Sequence, residues 1–174
     1  MKLSGKNISL RALEPSDADL LYKWENDPLV WKVSGTIAPY SLHVLEQYII
    51  SAQQDIYTAK QLRLVIQKNG DGPAIGAIDL FDFDPHHLRA GMGIMIADEL
   101  EKRKGYASEA LELLIPYCFD LLHLNQVYCN VGKDNEASIK LFMKFGFEIT
   151  GIKKQWNRNG KDFEDEYLMQ LLKK

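Results

Sequence analysis

The chain has 174 residues, of which 46% are hydrophobic, 26% charged and 10% aromatic, the make-up of an ordinary folded protein rather than a disordered, collagenous or fibrous one. Lysine and arginine number 21 against 24 aspartates and glutamates, a formal net charge of -3, so no basic surplus points to a nucleic-acid partner. No signal-like apolar segment follows the first residues and no apolar run reaches the ~18 residues of a membrane span, so a cytoplasmic protein with no membrane partner is expected.

The length suits one domain over 1–174, since no repeat, low-complexity stretch or Pro/Gly-rich linker divides it. Ile8, Leu10 and Ala12 alternate with polar residues and predict a first strand. Pro15-Ser16-Asp17 opens a helix with Leu20, Leu21 and Trp24 on its apolar stripe, and Asn26-Asp27-Pro28 ends it. A loop carrying Trp31, Gly35, Pro39 and Tyr40 comes next, then a helix from about Ser41 to Gln54. Leu62, Leu64 and Ile66 predict a second strand, Asn69-Gly70-Asp71-Gly72 a hairpin turn, and Ala74–Phe83 a third strand. Asp84-Pro85-His86-His87 turns the chain into a fourth strand over Arg89–Ile96.

Apolar residues from Ala110 to Leu122 trace one buried face of a helix over Gly105–His123, in which Pro116 predicts a kink or a break. Val127, Cys129 and Val131 predict a fifth strand and Asp134–Phe145 a short helix. Gly146-Phe147 suits a left-handed stop with a hydrophobic contact back onto the last turn. Two strands, about Glu148–Trp156 and Phe163–Leu171, flank a turn at Asn157–Gly160. Cys118 falls in helical phase and Cys129 in strand alternation, so both read as small core residues rather than as a disulfide framework. The order β-α-α-β-β-β-α-β-α-β-β makes a mixed α/β domain.

The segment Ile94–Leu111 carries the most chemistry. An apolar strand runs into a short charged loop with a glycine, and a helix follows. Such a loop aims unpaired N–H groups at one spot, where the helix dipole adds positive potential and Lys102, Arg103 and Lys104 add charge. That is a phosphate cradle, without the Gly-Lys-Ser/Thr of a P-loop or the three glycines of a dinucleotide fingerprint. A solvated basic loop that merely caps a helix is the competing reading. His86 and His87 lie adjacent in a turn with no cysteine partner, so no metal is expected.

Three motifs in this order resemble the GNAT N-acetyltransferase superfamily. Lys102-Arg103-Lys104-Gly105-Tyr106-Ala107 is similar to its acetyl-CoA loop, Gln/Arg-x-x-Gly-x-Gly/Ala, with Lys in place of the first Gln/Arg. Asn135-Glu136-Ala137-Ser138 and Leu141–Phe147 resemble its Asn-x-x-Ser and Lys-x-Gly-Phe signatures. The resemblance spans nearly the whole chain. It implies a mixed, mostly antiparallel seven-stranded sheet, about four flanking helices, and splayed fourth and fifth strands. It also implies direct acetyl transfer from acetyl-CoA to an amine. The backbone of Met92, Ile94 and Ile96 would then pair with the pantetheine arm. N–H groups of Arg103–Ser108 would bind the pyrophosphate, and Asn135 would contact the arm, capping a helix being its alternative role.

A free alkylamine has a pKa of about 10.4, so its proton must be taken up at neutral pH, and the thiolate needs a donor. Many members of the family place a tyrosine acid where this chain has Phe142, which cannot donate. Ser138 is the replacement candidate, with Tyr128 behind it. For the amine, Asp79, Asp82 and Asp84 on the third strand and Glu164–Glu166 on the last supply carboxylates, of which Asp82 is the candidate proton relay. Strict alternation places Asp82 and Asp84 on one face and Asp79 on the other. Trp31 and Tyr40 are candidates for an aromatic wall. The implied branch holds spermidine/diamine and ribosomal-protein N-terminal acetyltransferases. Acidic clusters favour a polyamine acceptor, although the position where similar polyamine enzymes carry a fourth-strand acid is Gly91. A protein N-terminus or another small amine is the alternative acceptor. A non-catalytic acyl-CoA-binding module is the alternative class, and edge strands at the C-terminal hairpin allow a homodimer or larger homo-oligomer.

Overall fold

Alternation of apolar and polar residues puts one face of each strand on a core and sets the register of its neighbours. In the computed structural model, which describes residues 3–174, seven strands form one sheet in the order β1-β2-β3-β4-β5-β7-β6. They are β1 (Ile8–Ala12), β2 (Leu62–Lys68), β3 (Ala74–Asp84), β4 (Arg89–Ile96), β5 (Gln126–Gly132), β6 (Glu148–Asn159) and β7 (Asp162–Leu172). Every pairing is antiparallel except β4 with β5.

The helices are α1 (Ala18–Glu25), α2 (Pro28–Ser34), α3 (Leu42–Ser51), α4 (Ile56–Ala59), α5 (Tyr106–Pro116) and α6 (Glu136–Lys144). One face of the sheet packs on α1 and α3 through Leu13, Leu21, Trp24, Leu45, Ile49, Val65 and Ala77. The opposite face carries the larger core, where Ile78, Leu80, Met92, Val127 and Cys129 meet Ala110, Leu111 and Leu114 of α5 and Phe142 of α6.

Two expectations need correction. The segment after Asp27 is a helix and not a loop. Asp27 caps it by accepting from the Leu29 N–H at 2.9 Å, Pro28 takes the first helical position, where its missing N–H costs nothing, and Gly35 closes it at φ 71°. Ile56–Ala59 adds a short turn, so the four longer helices stand beside two short ones. The break expected at Pro116 forms: the α-helix ends there, and Tyr117–Leu121 continues as a π-helical turn. A proline ring removes one backbone bond, and the wider turn accommodates the loss.

The second correction concerns β3. A bulge between Phe81 and Asp84 inserts one residue, with Asp82 at φ 48°. Alternation therefore fails there: Phe83 returns to the core that holds Ile78 and Leu80, and Asp82 is displaced toward the opposite side. The Gly146 stop forms as expected. Gly146 sits at φ 85°, the Phe147 N–H donates to the Phe142 carbonyl at 3.2 Å, and the two rings meet edge to face with centroids 5.0 Å apart.

Candidate active site

β4 and β5 pair only over Arg89–Gly91 and Gln126–Tyr128. Beyond that seam β4 runs on against β3 as far as Ile96, and β5 runs on against β7 as far as Gly132. The facing edges of Met92–Ile96 and Cys129–Gly132 therefore part, and their backbone groups need a partner from outside the sheet. The side chains of Met92, Ile94 and Ile96 pack into the α5 core, so what this stretch presents to the cleft is backbone.

The loop from Ala97 to Gly105 leads from β4 to α5. Asp98 accepts from the Leu100 N–H at 2.9 Å and so shapes its first turn. Arg103 at φ 61° and Gly105 at φ 89° bend the chain into the helix; the second of these is a conformation glycine adopts without strain. Tyr106, Ala107 and Ser108 are the first three residues of α5, and their N–H groups have no intrahelical acceptor. Lys102, Arg103 and Lys104 are exposed around them. Lys102 pairs with Glu99, and Lys104 lies 3.2 Å from Glu101. Lys144, from the end of α6, donates to the Ser108 hydroxyl at 2.6 Å, so sequence-distant elements add a fourth cation to the first turn of α5. Free N–H groups, a helix N-terminus and several cations in one place suit a diphosphate.

Glu109 locks this turn to the start of β1. Its carboxylate accepts from the Asn7 N–H at 2.7 Å, the Asn7 side-chain amide at 2.8 Å and the Ile8 N–H at 3.3 Å. Partial burial raises its pKa, but the Asn7 bonds outweigh that and hold the carboxyl below its ordinary range.

At the closed end of the splay, the α5 face is sealed by Met92, Val127, Cys129 and Phe142, all buried. Phe142 belongs to this core, packed on Phe147. The other face is lined by Phe81, Tyr128 and Asp82. The rings of Phe81 and Tyr128 meet edge to face with centroids 5.9 Å apart, and the Tyr128 hydroxyl donates to Asp82 Oδ2 at 3.3 Å. Burial, followed by the negative charge of Asp82, pushes the Tyr128 phenol above its ordinary pKa, which keeps its proton in place at neutral pH.

The remaining candidates are scattered. Asp79 is engaged by Arg63, with Nε to Oδ1 at 2.6 Å and Nη2 to Oδ2 at 3.2 Å. Arg63 also donates to Glu25 at 2.6 Å and lies over the Tyr48 ring. Burial opposes the charge of Arg63, and Asp79 more than compensates, so its pKa lies above the ordinary value. Asp84 caps its own turn, accepting from the His87 N–H at 2.9 Å and the His86 N–H at 3.0 Å; the first of these bonds lowers its pKa most.

Trp31 donates through its indole to the Glu25 carbonyl at 2.6 Å. Tyr40 is exposed, and its backbone N–H and carbonyl are both held by the Asn26 side chain. Asn135 caps α6, its Oδ1 accepting from the Ser138 N–H at 3.2 Å, which leaves its amide donors for another partner. Glu166 accepts from Lys153 at 3.0 Å and from Asn157 at 2.9 Å. Both cysteines are buried, and burial pushes their thiols up to about 12, so neither can serve as an acyl-carrying nucleophile. No helix among the described residues is long and apolar enough to cross a membrane, and they contain no group of three His, Cys, Asp or Glu able to hold a metal.

Sequence reasoning missed Phe81, Arg63 and Lys144. A charged residue inside the apolar run Leu62–Ile66 was the signal for Arg63. Phe81 and Lys144 gave none, because their roles depend on strand register and on how α6 docks.

Residues 7–148 match the family model described as an acetyltransferase (GNAT) domain. A spermidine N(1)-acetyltransferase of Escherichia coli (strain K12) is 29% identical over 148 residues, covering 85% of this chain and 76% of that one. Among solved structures, spermidine N-acetyltransferase from Vibrio cholerae in complex with CoA and spermine superposes with a TM-score of 0.85 at 22% identity, over 95% of both chains. A dodecameric structure of that enzyme in an intermediate state gives a TM-score of 0.79 at 23% identity, over 95% of this chain and 93% of that one.

Proposed function

The chain belongs to the GNAT acetyltransferase family, and from that premise we propose that it moves an acetyl group from acetyl-CoA directly to a primary amine, with polyamines such as spermidine as the favoured class. The observation that carries this reading is the parting of β4 and β5 beside the N–H-rich turn of α5. A pantetheine arm is an extended amide chain that can replace the missing strand partner, while the first turn of α5 takes its diphosphate. When bound, acetyl-CoA supplies a thioester, an activated acyl group with a stable thiolate as leaving group.

The rest falls to this chain's own residues. With the α5 face sealed by core side chains, the amine reaches the closed end of the splay from the side of Phe81, Tyr128 and Asp82. Asp82 attracts the ammonium and passes its proton toward solvent, which leaves the neutral amine to attack. Tyr128, protonated at neutral pH, is the proton donor for the thiolate, and Ser138 at the first turn of α6 is the second candidate. The polyamine preference draws on the spermidine N(1)-acetyltransferase relative. Against a wide polycation site stands the engagement of Asp79 by Arg63 and of Glu166 by Lys153. A protein N-terminus is the weaker alternative acceptor.

The test is thiol release from acetyl-CoA with spermidine, putrescine, glucosamine and a short peptide. The highest kcat/KM is expected for the two polyamines; release with none of them overturns the enzyme reading. A second reading, a non-catalytic acyl-CoA-binding module, is favoured by Phe142 at the family's phenol position. CoA binding without transfer to any amine would support it. Assembly into a homo-oligomer through the C-terminal hairpin is also proposed, because β6 is an outer edge strand with Ile152 and Trp156 exposed. Light scattering of the purified protein checks it, and a monomer at micromolar concentration refutes it.

A further inference from the structure

Gly91 lies at the last pairing of β4 with β5, opposite Phe81 on β3 and Tyr128 on β5. A Cβ at this position would fall within hard contact of the Phe81 ring, which lies over the glycine, and the opposite edge of that ring passes 3.8 Å from the place of a Cβ on Gly93. Phe81 thus occupies the space that a fourth-strand side chain would fill on the amine side. The ring is held from two directions, by the β4 backbone beneath it and by the Tyr128 ring beside it. The bulge immediately after Phe81 turns Asp82 back toward the Tyr128 hydroxyl. Ring, phenol and carboxylate therefore bound the closed end of the splay on the face from which an amine must come.

We infer that Phe81 is a specificity-determining residue, whose ring narrows the approach to the closed end and selects amines on an unbranched carbon over amines on a branched one. The inference rests on the acetyltransferase reading above and sharpens its acceptor class. An ammonium on a CH2 group reaches Asp82 along the edge of the two rings. A methyl on that carbon must displace the Phe81 ring, which is backed by β4 backbone. One added carbon in a fitted apolar site changes kcat/KM by roughly 10–200-fold. Every amino-acid α-amine except that of glycine carries such a branch, so the same ring disfavours protein N-termini other than glycine.

The experiment compares n-butylamine with sec-butylamine, and putrescine with 2,5-diaminohexane, as acceptors for the wild type and for Phe81→Leu and Phe81→Ala. Each pair differs in branching beside the nitrogen. The wild type is expected to prefer the unbranched member by at least about tenfold. Phe81→Ala narrows that ratio by about tenfold through a gain on the branched amine, with Phe81→Leu between the two and the KM for acetyl-CoA unmoved. Thermal melts of both variants establish that they are folded, and Phe81→Leu retains enough bulk to serve if Phe81→Ala does not fold. A ratio that stays at its wild-type value in the folded variants, or a uniform loss on all four amines, overturns the role of Phe81 alone. Absence of thiol release with every acceptor overturns the acetyltransferase reading and this inference with it.

Discussion

Arg63→Gln removes the cation from a half-buried cluster and strands two carboxylates. The side chains of Glu25 and Asp79 are 13% and 20% exposed, and each accepts from Arg63 at 2.6 Å. Removing one partner of a buried ion pair costs about 3–5 kcal/mol, because the remaining charge is left uncompensated. For a chain of this size each kcal/mol moves Tm by about 2–4 °C, which gives a loss of about 6–20 °C by circular dichroism at neutral pH. Asp79→Asn leaves Arg63 bonded to Glu25 and should cost only about 1–3 kcal/mol. A triple replacement of Glu25, Arg63 and Asp79 by apolar residues should recover much of the loss, since a buried pair has little net advantage over good apolar packing. A drop below about 2 °C for Arg63→Gln would refute the reasoning, by showing that solvent screens the cluster.

Glu109 gives a pH signature. Its folded pKa is depressed, so its contribution is fully present above the unfolded value and is lost as pH falls through the folded one. Glu109→Gln should therefore lower Tm at pH 7 and converge with the wild type in acid; parallel Tm-against-pH curves would contradict the Asn7 clamp. Gly91→Ala forces the Phe81 ring to move and should cost about 1–3 kcal/mol, most of which Phe81→Ala restores in the double variant, measured by denaturant melts. Ser138 gives its backbone N–H to the Asn135 cap, which alanine retains, so Ser138→Ala should stay within about 0.5 kcal/mol of the wild type. Asn135→Ala should cost about 1 kcal/mol. Any fall in kcat for Ser138→Ala then reports on its hydroxyl, and an unchanged kcat and pH profile remove it from the mechanism.

The legible features were those written in short-range pattern. Arg89–Ile96 formed the fourth strand as expected, because a short apolar run there follows the clear turn at Asp84–His87. The Gly146 stop and the glycine turn into α5 were readable for the same reason, since left-handed positions select glycine locally. Asp27-Pro28 misled, because a proline that closes one helix is also a favoured first residue of the next. Two-residue periodicity cannot register the inserted residue at Asp82, so the carboxylate nearest Tyr128 was assigned to the wrong face. Arg63 and Phe81 acquire their meaning only from the register of β2, β3 and β4 and from the docking of α1, which set Arg63 against Asp79, 16 positions away, and Glu25, 38 positions away.

The short seam between β4 and β5 also makes the sheet mechanically two plates, β1 to β4 and β5 to β7, stitched by three residue pairs. A ligand strand laid between the plates would act as a rivet as well as a reactant. The cleft-facing amides within Met92–Ile96 and Cys129–Gly132 should then exchange hydrogen quickly in the free protein and become protected together on saturation with CoA. Loading with CoA would also couple the fate of the two plates on heating, so that a transition beginning at the seam sharpens into one cooperative event.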